Sequence, residues 1–140
     1  MKGAFCLDPA FFDQIYGEEI RQEIASLVDI NGPVLSADQI GAQPDLLRDI
    51  DVILSGWGAP VFNADLLEHA QNLKAVFYGA GSVKGLVSDP FWQRRVQITS
   101  AYACTVKWSP ILASRALALR RSLAFWLGVI GVTRLARSCL

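Results

Sequence analysis

Short continuous apolar runs alternate with segments of helical apolar spacing over residues 1–103. The runs at 4–7, 51–55, 73–78 and 96–100 predict strands, and their apolar content is typical of strands covered on both faces. Turn signals and helical segments separate these runs, which is the order expected for strands joined by helical crossovers. The pattern therefore predicts an open parallel α/β sheet of four or five strands with helices on both faces.

Asp8-Pro9 is the first of several helix starts in the chain. Aspartate accepts hydrogen bonds from the free amides of a first helical turn, and proline suits its first position. We expect Gly17 to interrupt the helix or to separate two helical segments. The second part then carries its apolar stripe at Ile20, Ile24, Leu27 and Val28. Further helical segments are predicted to begin at Ser36 (a capping box with Gln39), Pro44, Asn63 and Asp89.

The charges of the chain are divided between two regions. The 140 residues carry 13 basic and 13 acidic side chains, and the net charge of zero indicates no nucleic-acid partner. All 13 acidic residues and seven bases lie in residues 1–103, whereas residues 104–140 carry six bases and no acid. We therefore predict an α/β domain over 1–103 and a basic apolar tail of a different kind over 104–140.

Cysteine content and hydropathy indicate the compartment in which the protein is expected. Cys6, Cys104 and Cys139 form no CxxC pair, so neither a disulfide framework nor a metal site is predicted. The longest uncharged apolar stretch, 122–133, is shorter than the roughly 18–20 residues that cross a bilayer. The N-terminus has no signal-peptide pattern. These features predict a reduced, cytoplasmic setting without a membrane partner.

Two glycine-containing turns follow predicted strands, at 56–60 and 79–85. In open α/β sheets, ligands bind at the loops that leave the carboxyl ends of the strands. The spacing G-x-G-x-x-x-G at 79–85 is one residue longer than the dinucleotide fingerprint, so a dinucleotide site is disfavoured. Two interpretations remain open: backbone amides that bind a small anion, or a tight turn in which glycine supplies a positive φ.

Single side chains near these turns have two possible roles each. Trp57 is expected either to pack or to wall a ligand pocket, and Lys84 is expected to be solvated or to attract an anion. His69 has no partner at helical spacing, which favours a surface histidine over a base or a metal ligand. No Ser-His-Asp or Cys-His arrangement is evident in the sequence.

The ordered segments of the first 103 residues resemble the N-terminal half of the D-isomer-specific 2-hydroxyacid dehydrogenases. The resemblance covers about residues 2–103 and is strongest at 73–85, Phe91-Trp92 and 96–103, while 55–60 and 7–9 match a subgroup of that family. It implies a flavodoxin-like substrate domain that works with a second, NAD-binding domain of Rossmann type, often in a homodimer. The implied substrate is a small 2-hydroxy or 2-oxo acid.

The resemblance also implies which residues contact substrate. Main-chain amides of the family's glycine loop hold the substrate carboxylate, a role that falls here on Gly79, Ala80, Gly81 and Ser82, with Trp57 nearby. The loop departs from the family at Lys84-Gly85, where Asp-Asn is frequent. The family's catalytic arginine, its acidic partner, its histidine and its cofactor loop have no match in this sequence. We therefore predict no catalytic residue here and no NAD binding by this chain alone.

The match ends at Ala103, where the family continues with asparagine and a Val-Ala-Glu helix and this chain continues with Cys104. Because the acidic residues end at the same place, we expect a frameshift or a pseudogene-like truncation. The alternative is a genuine basic amphipathic tail on a non-catalytic α/β protein, binding a membrane surface or a partner.

Overall fold

The predicted strands form one parallel sheet in the computed structural model, which describes residues 1–101. The strands are β1 (Lys2–Cys6), β2 (Asp29–Ile30), β3 (Val52–Ser55), β4 (Ala75–Tyr78) and β5 (Gln97–Ser100). The helices are α1 (Phe12–Ile15), α2 (Glu18–Leu27), α3 (Ala37–Ala42), α4 (Ala64–His69) and α5 (Asp89–Gln93), with short 3-10 helices at Pro9–Phe11 and Pro44–Leu47. The predicted tail 104–140, with the alternatives for its origin and binding, lies outside the described residues.

The sheet has the strand order β2-β1-β3-β4-β5, and every pairing is parallel. This is the order of flavodoxin-like doubly wound sheets, so the predicted fold class is confirmed. Strand β2 was not among the predicted runs. It has only two residues, pairs with Lys2 and Gly3, and begins one residue after α2 ends, so its sequence carries no strand signal of its own.

Each face of the sheet has its own apolar core. On one face α1 and α2 cover alternate strand residues such as Phe5, Leu54 and Phe77. On the opposite face α3, α4 and α5 cover the residues in between, such as Ile53 and Val76. The central strands β3 and β4 are buried along their whole length, which explains why they appear in the sequence as unbroken apolar runs.

The helix starts follow the predicted capping chemistry. The Asp8 carboxylate accepts from the Ala10 amide at 2.9 Å, and Asn63 Oδ1 accepts from the Leu66 amide at 2.9 Å. Ser36 and Gln39 cap α3 reciprocally. Gly17 separates α1 from α2, as expected.

One residue of the predicted apolar stripe on α2, Leu27, does not lie on the buried face. Ile24 and Val28 are buried, but Leu27 is 51% exposed. Leu27 is the last residue of α2, and Val28 already has extended backbone angles, so the helical face cannot be continued through both residues. At the other end of the domain, α5 begins at Asp89 itself, and Ser88 occupies the capping position before it.

Within residues 1–101, no helix is long and apolar enough to cross a membrane.

Gly58, in the loop after β3, packs tightly against the loop after β1. It has φ of +76°, and a Cβ there would lie 2.5 Å from the Asp8 Cβ. We expect Gly58→Ala to lower the free energy of unfolding by about 1–3 kcal/mol, because it combines backbone strain with a steric clash. Urea denaturation of the full chain measures this loss.

Gly41→Ala is the matched control for this prediction. Gly41 lies in α3, and a Cβ there would meet no atom within 4 Å. Since alanine favours the helix, this variant should gain about 0.5–1 kcal/mol. Equal effects of the two substitutions would contradict the packing seen around Gly58.

Candidate functional site

The loops after β1, β3 and β4 leave the sheet at the same edge, here called the carboxyl edge, because the carboxyl ends of parallel strands lie on one side of a sheet. In register, Cys6 of β1 lies beside Ser55 of β3, and Ser55 lies beside Tyr78 of β4. The loops that follow therefore begin side by side, at Leu7, Gly56 and Gly79. This edge includes the switch point between β1 and β3, where doubly wound sheets bind their ligands.

The loops after β1 and β3 contact each other directly. The Asp8 amide donates to the Trp57 carbonyl at 2.9 Å, and Gly58 packs against Asp8. The Trp57 ring meets the Phe11 ring edge to face, with centroids 5.3 Å apart, and stays 37% exposed. Trp57 is therefore packed on one side and open to solvent on another, which leaves both of its predicted roles possible.

Tyr16 lies beneath the ends of β3 and β4. Its buried hydroxyl is 2.8 Å from the Ser55 carbonyl oxygen and 3.2 Å from that of Phe77, so it donates to the carboxyl ends of both strands. Burial raises the pKa of this hydroxyl above its ordinary value. The hydroxyl therefore remains a protonated donor throughout the physiological pH range.

Gly79 is a packing residue. Its amide donates to the Ser55 carbonyl at 2.8 Å, which extends the ladder between β3 and β4 by one residue. A Cβ at this position would lie 2.5 Å from Ile15 Cγ2 and 3.2 Å from the Tyr16 hydroxyl. The Gly79 amide is thus occupied, and any anion-binding group of amides in this loop begins at Ala80.

The next four amides, at residues 80–83, have no such partner among residues 1–101. Within residues 1–101, the N–H groups of Ala80, Gly81 and Ser82 donate to no acceptor. Ala80 is only 7% exposed, and buried amides without an acceptor are rare in folded proteins. These hydrogen-bond donors are therefore available to an acceptor that does not belong to residues 1–101.

A positive φ does not explain the glycines of this loop. Among the described residues, Gly58 is the glycine with positive φ, and neither Gly79 nor Gly81 shares that conformation. A Cβ at Gly81 would meet nothing within 4 Å, so the space above its backbone is open. The tight-turn interpretation, in which glycine supplies a positive φ, therefore does not hold for Gly79 or Gly81. Gly79 is instead closely packed against its neighbours, and Gly81 faces open space.

The far end of the glycine loop is anchored to the loop after β3. The Phe62 amide donates to the Leu86 carbonyl at 2.8 Å, and the Ser88 hydroxyl donates to the Phe62 carbonyl at 2.6 Å. Inside the loop, the Lys84 amide donates to Ser82 Oγ at 3.3 Å, and Lys84 itself is exposed. The free amides therefore lie between two fixed points.

His69 lies away from these loops, at the end of α4. Its Nδ1 is 3.0 Å from Asp45 Oδ1, a partner 24 residues distant that no helical spacing reveals. Hydrogen bonds from His69 and from Arg48 hold the pKa of Asp45 below its usual range. The arrangement is a surface polar cluster, as expected for His69, and no group of three potential metal ligands occurs among residues 1–101.

Sequence reasoning missed Tyr16. A tyrosine in an apolar segment before a glycine carries no sign of where its hydroxyl will lie, because its partners are 39 and 61 residues away. Comparison of the chain with protein-family models, curated proteins and solved structures finds no match.

The two glycines of the loop should respond differently to the same substitution. We expect Gly79→Ala to lower the free energy of unfolding by about 1–3 kcal/mol, since its methyl group overpacks against Ile15. Gly81→Ala should change it by less than about 0.5 kcal/mol. Thermal and urea unfolding of both variants test this difference, and an equal loss in both would argue against the open space at Gly81.

Proposed function

We propose that the loop after β4 binds the carboxylate of a small 2-hydroxy or 2-oxo acid through the amides of Ala80, Gly81 and Ser82. By its resemblance, the chain is the substrate-binding part of an NAD-dependent oxidoreductase that acts on the CH–OH group of D-2-hydroxy acids. The observation that carries the proposal is the run of four consecutive amides, at residues 80–83, without an acceptor among the described residues; it begins at the buried Ala80 and includes the three proposed donors.

The chemistry of this loop favours a small anion. A carboxylate accepts several N–H hydrogen bonds at once, and charge-assisted bonds are stronger than neutral ones. Gly81 leaves room for its approach, and Trp57, one strand away, is exposed enough to contact the rest of a small acid. Lys84 adds a positive charge to the same loop.

A dinucleotide fits this loop poorly. A pyrophosphate site needs a helix that begins at the glycine turn, so that its first amides face the phosphates. Here α5 begins only at Asp89, four residues after Gly85, and its first turn carries the negative charge of Asp89. This loop therefore offers no pyrophosphate site, and by the resemblance NAD, as the hydride donor or acceptor, would belong to another domain.

The described residues hold and orient substrate in this proposal and do not transfer protons. His69 is the one histidine of residues 1–101. It lies at the end of α4 and is hydrogen-bonded to Asp45, so it does not belong to the loop that carries the free amides. The chain alone is accordingly a binding unit, and we expect no turnover of 2-oxo acids with NADH.

Carboxylate binding is measured by titrating the isotopically labelled full chain with pyruvate or D-lactate and following its amide NMR signals. Three charge-assisted hydrogen bonds of about 1.5 kcal/mol each correspond to a Kd on the order of 1 mM. The largest shifts are expected at Ala80, Gly81 and Ser82. Lactamide, which lacks the carboxylate, should cause none of them.

The amides of Ala80, Gly81 and Ser82 are called the amide cradle below. Gly81→Val places a side chain in the open space beside this cradle and should abolish the shifts without unfolding the protein. Gly85→Val is its matched control, because a Cβ there also meets nothing within 4 Å but lies outside the run of free amides. Shifts that persist in Gly81→Val, or that spread evenly over the surface, would contradict the proposal.

A further inference from the structure

The end of α1 lies beneath both glycine loops of the carboxyl edge. An added Cβ at Gly56 would lie 2.5 Å from Ile15 Cδ1, and one at Gly79 would lie 2.5 Å from Ile15 Cγ2. Ile15 therefore fills the space that two glycines leave open. The neighbouring Tyr16 is fully buried and extends its hydroxyl to the same place.

The Ser55 carbonyl is the shared acceptor at this point. It accepts from the Gly79 amide at 2.8 Å and from the Tyr16 hydroxyl at 2.8 Å. The same hydroxyl lies 3.2 Å from the Phe77 carbonyl, so it links the last residue of β3 to the penultimate residue of β4. On the other side of β3, the Ser55 hydroxyl donates to the Cys6 carbonyl at 2.9 Å and connects this cluster to β1.

We infer that Tyr16 is the positioning residue of the amide cradle: its hydroxyl fixes the ends of β3 and β4, and thereby the direction in which Ala80, Gly81 and Ser82 present their N–H groups. Tyr16 touches no ligand itself and acts through Ser55 and Gly79. The inference rests on the proposed carboxylate site for its functional consequence, whereas the fixation of the loop is measurable without any ligand.

A hydroxyl in this position restrains the loop more than an apolar side chain would. The Gly79 amide is the last backbone donor of the ladder before four amides, at residues 80–83, that have no acceptor within the described part of the chain. Without Tyr16, the Ser55 and Phe77 carbonyls lose a buried donor, and the end of the ladder opens more often. A cradle of amides binds an anion well only when it is held in the binding geometry beforehand.

The test is Tyr16→Phe in the full chain, which keeps the ring in the core and removes only the hydroxyl. Tyr78→Phe is the matched control: it removes the same atom from β4, and the Tyr78 hydroxyl has no hydrogen-bond partner within residues 1–101. Three quantities are measured by NMR: hydrogen-exchange protection of the Gly79 amide, order parameters of the amides of 80–82, and the Kd for pyruvate.

Tyr16→Phe should reduce the protection of Gly79 by about fivefold or more, in line with the loss of one buried hydrogen bond. Order parameters at 80–82 should fall from the rigid range near about 0.85 toward about 0.6. The pyruvate Kd should rise by about fivefold, while Tyr78→Phe leaves all three unchanged. Protection at the distant α3 amides should stay unchanged, which separates local opening from general destabilisation.

The two proposals fail in different ways. Unchanged Gly79 protection in Tyr16→Phe, or a loss of protection that is equal throughout the sheet, overturns the positioning role. A local loss at Gly79 in a protein whose wild type binds no pyruvate supports the positioning role and contradicts the carboxylate site. If Tyr16→Phe does not fold, the wild-type Tyr16 hydroxyl proton is measured instead: a protection factor equal to that of the Gly79 amide supports the inference, and a much lower one overturns it.

Discussion

The carbonyl of Ser55 is the point on which the carboxyl edge of this sheet depends. It accepts hydrogen bonds from the Gly79 amide and from the Tyr16 hydroxyl, both at 2.8 Å. The bond from Gly79 extends the pairing of β3 with the chain one residue beyond the end of β4. The amides of the next four residues, 80–83, have no acceptor in the described part of the chain. A regular sheet thus ends abruptly in a group of hydrogen-bond donors, which is the property that the proposed function needs.

The glycines of this edge illustrate two different reasons for the absence of a side chain. Gly56 and Gly79 lie on Ile15, and Gly58 lies on Asp8, so a Cβ at any of them would come within 2.5 Å of a neighbouring atom. Gly81 and Gly85 face open space. The first group closes the loops against the core, and the second leaves the approach to the free amides unobstructed.

How well the sequence predicted each feature depends on how far apart its interacting residues lie along the chain. The capping of α3 by Ser36 and Gln39 and the start at Asp8 involve neighbours two or three residues apart, so local patterns predicted them correctly. The buried runs that form β3 and β4 were equally evident. Strand β2 was missed because two residues carry no periodicity, and Leu27 was misplaced because the helix ends before its stripe does.

The sequence proposed a candidate site but did not reveal its contacts. The glycine turn does follow a strand, as predicted, whereas the occupied amide of Gly79 and the hydrogen bonds of Tyr16 depend on contacts across 24 to 61 residues. Such contacts follow from the register of the whole sheet, which no short segment determines.

The burial of Cys6 has a practical consequence. Its thiol lies at the end of β1 among apolar side chains, and burial raises its pKa to about 12. Because the thiolate is the reactive form, this sulfur resists alkylation at neutral pH as long as β1 stays in the sheet. Mass-spectrometric detection of alkylated Cys6 therefore reports the separation of β1 from the sheet, and it needs no mutation in the protein.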